Sequence, residues 1–102
     1  MSYEFFSLLP VGALLSSSEL LQMLTIRFPL IPISISEDQL LLRWGDFPIR
    51  SEWQEDIDIS LTGGRVYLSF YTATSEQRVL IVSALEDGLT KMVGRPVQFE
   101  GQ

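Results

Sequence analysis

The sequence contains no cysteine and no histidine among its 102 residues. Without cysteine there is no disulfide, no thiol nucleophile and no thiolate ligand for a metal. Without histidine the chain lacks the commonest general base and metal ligand. Its single lysine, Lys91, falls late in a predicted helix, where the helix dipole favours a cation regardless of catalysis. We therefore expect a protein that is not an enzyme and has no catalytic residue.

Positive charge is scarce, because seven Lys and Arg residues stand against 13 Asp and Glu residues, for a net charge of -6. Binding to nucleic acid or to an anionic membrane needs clustered basic residues, so neither is an expected partner. Pro10 and Gly12 interrupt the longest apolar run, residues 8–15, which is also shorter than the roughly 20 residues that span a bilayer. No basic residue precedes that run as in a secretory signal, so we expect a cytoplasmic protein.

Motifs for phosphates and metals are missing as well. The pair Gly63–Gly64 has no GK[ST] sequence beside it and is typical of a hairpin turn rather than a P-loop. The acidic residues do not follow the EF-hand spacing. Acidic neighbours such as Glu86 and Asp87 diverge on a helix instead of facing each other as an acid–base pair. We therefore expect no metal and no cofactor.

The chain does contain enough apolar residues for one core. Hydrophobic residues make up 46% of the sequence and charged residues 20%, which is the balance of a folded domain. No stretch has the composition of a linker. Residues 1–102 are therefore expected to form a single compact domain.

Alternation of apolar and polar residues with a period of two predicts half-buried strands. Six segments show strand character: residues 3–9, 33–36, 39–44, 57–62, 65–71 and 97–100. Glu37–Asp38 is expected to join one pair as a hairpin and Gly63–Gly64 another, because glycine tolerates the positive φ of a tight primed turn. With the two helices described next, the order β-α-β-β-β-β-α-β predicts an α+β two-layer sandwich. In it, an antiparallel sheet of four to six strands has two helices packed on one face.

The first helix is expected after Ser16, which forms a capping-box pattern with Glu19, and should end near Arg27 because Pro29 follows.

The second helix is expected from the capping box of Thr74 and Gln77 to about Val93, with Gly94 ending it in a left-handed conformation. It holds four consecutive apolar residues, Val79, Leu80, Ile81 and Val82. At about 100° per residue they cover most of the helix circumference. Burial on two sides would come from the first helix or from a second copy of the chain, so a homodimer through these four residues is one prediction.

Negative charge is concentrated in residues 46–58, which we call the acidic segment. It holds five acidic residues and one basic residue, a net of -4, whereas the other 89 residues carry a net of -2. Trp53 lies within the segment and Trp44 just before it. Aromatic anchors surrounded by charge of one sign are typical of protein interfaces, and a negative surface steers a positive partner.

We predict that this region binds a protein with a basic surface. The expected contact residues are Trp44, Asp46, Glu52, Trp53, Glu55, Asp56 and Asp58. Basic surfaces are typical of proteins that hold phosphates, so the function predicted is a non-enzymatic inhibitor of immunity or anti-defence type. It would block a toxin, a nuclease or nucleic-acid-binding machinery. Replacing Glu55 and Asp56 with Lys would then weaken binding without unfolding. The simpler alternative is a solvated loop whose tryptophan packs into the core.

Tyr67 and Tyr71 share a strand face opposite the apolar one, so they form an exposed contact surface if helices cover the apolar face. Two other functions stay open. One is a small acidic homodimeric chaperone or adaptor for a secreted or partner protein. The other is an enzyme or small-ligand binder with two convergent acids in a pocket.

Overall fold

A computed structural model describes residues 3–10, 15–45 and 55–101. In that part of the chain, two helices cover one face of a single six-stranded antiparallel sheet. The elements in chain order are β1 Tyr3–Leu8, α1 Ser17–Thr25, β2 Leu30–Ile35, β3 Gln39–Trp44, β4 Ile57–Thr62, β5 Arg65–Phe70, α2 Ser75–Val93 and β6 Glu100–Gly101. The predicted α+β sandwich and its element order are both confirmed.

Both predicted hairpins are present. The Ser36 N–H donates to the Gln39 carbonyl at 2.9 Å, which closes the two-residue turn between β2 and β3. Gly63 and Gly64 join β4 to β5 with φ of 60° and 74°. Other residues rarely adopt two consecutive positive φ values, so the glycine pair is what permits this tight connection.

β1 lies inside the sheet although it comes first in the chain. The strand order is β2-β3-β4-β5-β1-β6. β1 pairs with β5 along its whole length, from Tyr3 opposite Phe70 to Leu8 opposite Arg65. Local patterns in the sequence do not indicate that β1 pairs with a strand so far along the chain. The sequence therefore predicted the strands but not their order in the sheet.

α1 begins at the predicted cap, and its first turn is tied to the sheet. The Ser16 hydroxyl accepts the Glu19 N–H at 3.3 Å. The buried Ser17 hydroxyl donates to the Ser36 carbonyl in the β2–β3 hairpin. The helix ends at Thr25, slightly earlier than predicted.

α2 has the predicted capping interactions at both ends. The Thr74 hydroxyl accepts the Gln77 N–H at 3.1 Å, and the Gln77 side chain accepts the Thr74 N–H at 2.8 Å. Gly94 has φ of 73°, and its N–H donates to the Thr90 carbonyl at 3.0 Å. Glycine adopts this left-handed conformation without strain, and that is why the helix stops there.

The four apolar residues inside α2 do not all pack inward. Ile81 is fully buried and Val82 packs partly against the core. Val79 and Leu80 are 64% and 49% exposed. The structure therefore leaves two of the four side chains at the surface.

The last strand is shorter than predicted and lies later in the chain. A strand was expected over residues 97–100, but Glu100–Gly101 is the part that pairs with β1. The Phe99 N–H donates to the Glu86 carboxylate at 2.8 Å, and the Val97 N–H to a threonine hydroxyl of α2 at 3.0 Å. Side chains of α2 thus take the backbone donors that a strand would have used, and the segment follows the helix.

The core lies between the helices and the inward face of the sheet. Its buried side chains are Leu20, Leu24, Leu30, Leu40, Leu42, Trp44, Ile57, Ile59, Val66, Leu68, Phe70, Ile81, Leu85, Leu89 and Val97. Gly88 allows α2 to approach α1 closely, since a Cβ there would lie 2.6 Å from the Met23 sulfur. Within the described ranges, no helix has both the length and the apolar character needed to cross a membrane.

Candidate functional site on the open sheet face

The sheet has one face that the helices leave uncovered, which we call the open face. Leu68 of β5 is fully buried in the core, so its neighbours Tyr67 and Ser69 point to the opposite side. Residues opposite each other in the register share a face, which extends the assignment to the adjoining strands. The open face includes Glu4, Phe6, Leu8, Gln39, Leu41, Arg43, Asp58, Ser60, Thr62, Arg65, Tyr67, Ser69 and Glu100, and Arg43 is the basic residue nearest Asp58 on β3.

Carboxylates from separate parts of the chain lie near one another at one end of this face. Asp58 on β4 and Glu4 on β1 each lie directly opposite Ser69 on β5. Adjacent strands are about 4.8 Å apart, so the Cα atoms of the two acidic residues are about 10 Å apart. Glu55, just before β4, lies close enough for its charge to act on Tyr71 together with theirs. We call Glu4, Glu55 and Asp58 the acidic end of the open face.

Tyr71 stands among these carboxylates, immediately after β5. Burial of its phenol, and then the negative charges of Asp58, Glu55 and Glu4, raise the pKa of Tyr71 above its usual range. Burial disfavours the phenolate, and three nearby anions disfavour a fourth. Tyr71 is 41% exposed, so the acidic end presents a neutral aromatic ring to the outside.

Asp58 is held in place by neutral donors. The Gln39 side-chain amide donates to its two oxygens at 3.2 and 3.4 Å, and the Ser60 hydroxyl donates at 3.3 Å. These bonds orient the carboxylate without neutralising its charge. The Asp58 carboxylate is therefore oriented on the open face and partly exposed there.

Two of the predicted contact residues lie inside the protein. Trp44 is 2% exposed, and its indole N–H donates to the Thr72 carbonyl at 2.9 Å. Asp56 is 5% exposed, and its Oδ2 accepts the Trp44 backbone N–H at 2.9 Å. A side chain that packs in the core or bonds a buried amide is not accessible to a partner. Trp44 and Asp56 are therefore buried residues of the fold and do not lie on an accessible surface.

The backbone of Asp56 explains why this acidic residue is inside. Its N–H donates to the Leu42 carbonyl at 2.8 Å, and its carbonyl accepts the Tyr71 N–H at 2.8 Å. Asp56 thus joins the strands on either side just before β4 begins. Because a lysine at this position would bury an unpaired cation, charge reversal of the acidic segment has to use Glu55 and Asp58 instead of Glu55 and Asp56.

Glu55 and Asp58 are the predicted contact residues that are partly exposed in the structure, and the charges of both act on Tyr71. Asp46, Glu52 and Trp53 lie outside the described residues, so their part in the surface stays a prediction.

Glu4 was not among the contact residues predicted from the sequence. Its position between Tyr3 and Phe5 in an alternating strand does mark it as facing away from those two side chains. What the pattern could not show is that β1 lies beside β5, which places Glu4 across from Asp58.

Other site types find little support in the described ranges. There, no group of three or more acidic residues is arranged to hold a metal ion. A groove of about 530 Å³ lies between the end of α2 and residues 96–98, with Glu86 and Asp87 among its lining side chains. Glu86 accepts the Phe99 N–H, and adjacent helical residues diverge, so these two acids do not form a convergent acid–base pair.

Comparison with known proteins gives no relative from which a function could be transferred. No protein-family model matches the chain, and neither a curated protein nor a solved structure matches it. The function must therefore be inferred from the residues of the open face themselves.

Proposed function

We propose that the protein is a non-enzymatic inhibitor, of immunity or anti-defence type, that binds a protein with a basic surface. The supporting observation is that Glu4 and Asp58 lie on the open face on either side of β5, and that their charges and that of Glu55 act together on Tyr71. Like charges held together repel one another and oppose folding. A cationic partner would be attracted by the same charges. The arrangement therefore favours binding of a cation, although it does not favour folding.

The chemistry of the acidic end selects the class of partner. Arginine suits it best, because a guanidinium pairs with carboxylates through two parallel hydrogen bonds and stacks on an aromatic ring such as that of Tyr71. Basic protein surfaces commonly hold phosphates, as in nucleases, nucleic-acid-binding toxins and related machinery. Carboxylates that occupy such a surface exclude the phosphates. The same charges repel nucleic acids and anionic membranes as direct partners.

The test compares three forms of the protein as immobilised baits in an extract of cells that produce it. The first is the wild type and the second is Glu55→Lys/Asp58→Lys. The third, Glu76→Lys/Asp87→Lys, makes the same change in net charge at exposed positions of α2. We expect one protein to bind the first and third baits, and to be retained less at 0.5 M than at 0.1 M salt, because the Debye length falls to about 4 Å at 0.5 M.

The captured protein is then purified and its affinity is measured by titration calorimetry against all three forms, after urea unfolding has shown that each is folded. We expect Glu55→Lys/Asp58→Lys to bind at least about tenfold more weakly, which corresponds to about 1.4 kcal/mol. Equal affinity for the three forms would contradict the acidic end as the site. If the partner binds but keeps its own activity in the complex, inhibition is contradicted.

A second candidate is a small homodimeric chaperone or adaptor for a secreted or partner protein, and the exposed apolar side chains of α2 favour it. Val79 and Leu80 lie on the side of α2 away from the core. Scattered exposed apolar residues are common, so this support is weaker than that of the converging carboxylates. Sedimentation equilibrium separates the two candidates, because the chaperone requires a dimer that Val79→Asp/Leu80→Asp dissociates. A wild-type monomer at high concentration would contradict it.

A further inference from the structure

The open face continues from the acidic end into an area of apolar side chains. Tyr67 lies directly opposite Phe6, and Leu8 lies opposite Arg65. Leu8 is 62% exposed, and Phe6 and Tyr67 are partly exposed. The Arg65 guanidinium donates a hydrogen bond to the Tyr67 hydroxyl at 3.3 Å. This bond gives the phenol oxygen a donor and holds the Tyr67 ring beside Arg65 on the open face. We call Phe6, Leu8 and Tyr67 the apolar end; Glu100, opposite Phe6, marks its outer edge.

The two ends of the open face differ in charge. A partner with separate basic and apolar parts would therefore bind this face in one orientation. Glu4 and Leu8 belong to the same strand and point to the same side, four residues apart, which is about 13 Å at a rise of about 3.3 Å per residue. A partner's cation is attracted by the carboxylates at the acidic end, whereas at the other end the opposite charges of Arg65 and Glu100 offset each other. The apolar end instead offers surface whose removal from water favours contact.

We propose that the open face is a single docking surface for an amphipathic basic protein element. Its Arg or Lys side chains lie over the acidic end, and its apolar side chains lie over the apolar end. This rests on the inhibitor function proposed above and defines its partner more closely. A purely basic element would leave Leu8 without an apolar contact, whereas a purely apolar one would bury carboxylates without partners.

The two ends respond differently to salt, and this separates their contributions. Salt screens attraction between the carboxylates and a cation, since exposed charges act over little more than a Debye length. Burial of apolar surface is not weakened by screening. An element that uses the whole face therefore keeps part of its affinity in high salt, and one that uses the acidic end alone does not.

The test uses two synthetic helical peptides and the full chain. The amphipathic peptide carries arginines in one half and leucines in the other, and its counterpart has serine at every leucine position. Binding is followed by amide chemical shifts of the labelled protein in 0.1 and 0.5 M NaCl. We expect the amphipathic peptide to bind at least about tenfold more tightly than the serine peptide in 0.5 M NaCl, with the shift changes confined to β1, β4 and β5.

Leu8→Ser should abolish that difference between the peptides, and Leu80→Ser, at an exposed leucine of α2, should preserve it. Glu55→Lys/Asp58→Lys should weaken both peptides at least about tenfold in 0.1 M NaCl. If that variant acts as expected but Leu8→Ser changes nothing, the apolar end is not used and the inference is overturned while the inhibitor function stands. If neither peptide binds, or if both bind the Glu55→Lys/Asp58→Lys variant as they bind the wild type, both proposals are overturned.

Discussion

At the scale of residues, Asp56 and Asp58 show how two identical side chains, two positions apart, take opposite roles. Asp56 lies in the bend before β4 and turns its carboxylate to the buried Trp44 N–H. Asp58 lies within β4 and points to the open face, where Gln39 and Ser60 orient it. A carboxylate is an acceptor wherever it lies, so the position of the backbone decides whether its hydrogen-bond donors lie in the interior or on the open face.

Asp56→Ala should destabilise the protein by about 1–3 kcal/mol, because it leaves the buried Trp44 N–H without its acceptor. Asp58→Ala is the matched control and should change the free energy of unfolding by no more than about 0.5 kcal/mol, since its hydrogen bonds are near the surface. Urea denaturation of the two variants beside the wild type measures both values. Equal losses for the two variants would show that Asp56 has no special part in the interior.

Tyr71 should make stability fall with rising pH in strongly alkaline solution. Its pKa is raised in the folded protein by burial and by Asp58, Glu55 and Glu4, so the unfolded chain loses the phenolic proton first. Its contribution is complete below the unfolded pKa of about 10 and is lost as the pH rises from there through the folded pKa. Urea unfolding between pH 8 and pH 11 should show a shallower decline for Tyr71→Phe than for the wild type. Parallel curves would contradict the shift.

At the scale of elements, both ends of α2 are determined by residues at those ends. A reciprocal pair of side-chain bonds begins it, and a left-handed glycine ends it. The next residues do not form a strand, because the glutamate and threonine side chains of α2 accept the backbone donors of Phe99 and Val97. The helix therefore determines the path of the segment that follows it.

Gly94→Ala should cost about 1–2 kcal/mol, because a side chain with a Cβ is strained at φ of 73°. Among the described residues, and apart from the chain neighbours, no heavy atom lies within 4 Å of a Cβ at this position, so the cost comes from the local backbone and not from contacts with other elements. Gly94→Asn should lose less, since asparagine adopts this conformation more readily. Thermal unfolding should rank the wild type above Gly94→Asn and that variant above Gly94→Ala. The reverse order of the two variants would count against a conformational cause.

At the scale of the whole molecule, the net charge of -6 is not evenly placed, and the acidic end carries part of it on the face of the sheet opposite the helices. Charges that serve binding commonly reduce stability, because their mutual repulsion is present before the partner arrives. A surface of this kind can be recognised by substitutions that strengthen the fold while they weaken binding.

Glu55→Gln should therefore raise the free energy of unfolding by a few tenths of a kcal/mol in low salt, the range of surface substitutions, and lower affinity for the basic partner. In 0.5 M NaCl the gain should shrink, because salt screens the repulsion it removes. Asp87→Asn, an exposed acid of α2 away from the acidic end, is the control and should leave affinity unchanged. Urea denaturation at both salt concentrations measures the stability. A loss of stability on Glu55→Gln would mean that this carboxylate serves the fold.

The sequence alone determined the segments that form the two helices and, in outline, the first five strands, and it determined the excess of negative charge, whereas the last strand follows contacts with α2. These are local properties: alternation of side chains, caps and a glycine-pair turn act over a few residues, and each was confirmed in the structure. Only the tertiary structure decided that β1 lies beside β5, that Asp56 turns inward, and that Glu4 and Asp58 lie on one face. Strand order and burial depend on contacts between residues far apart in the chain, and such contacts leave no periodic trace in the sequence that forms them.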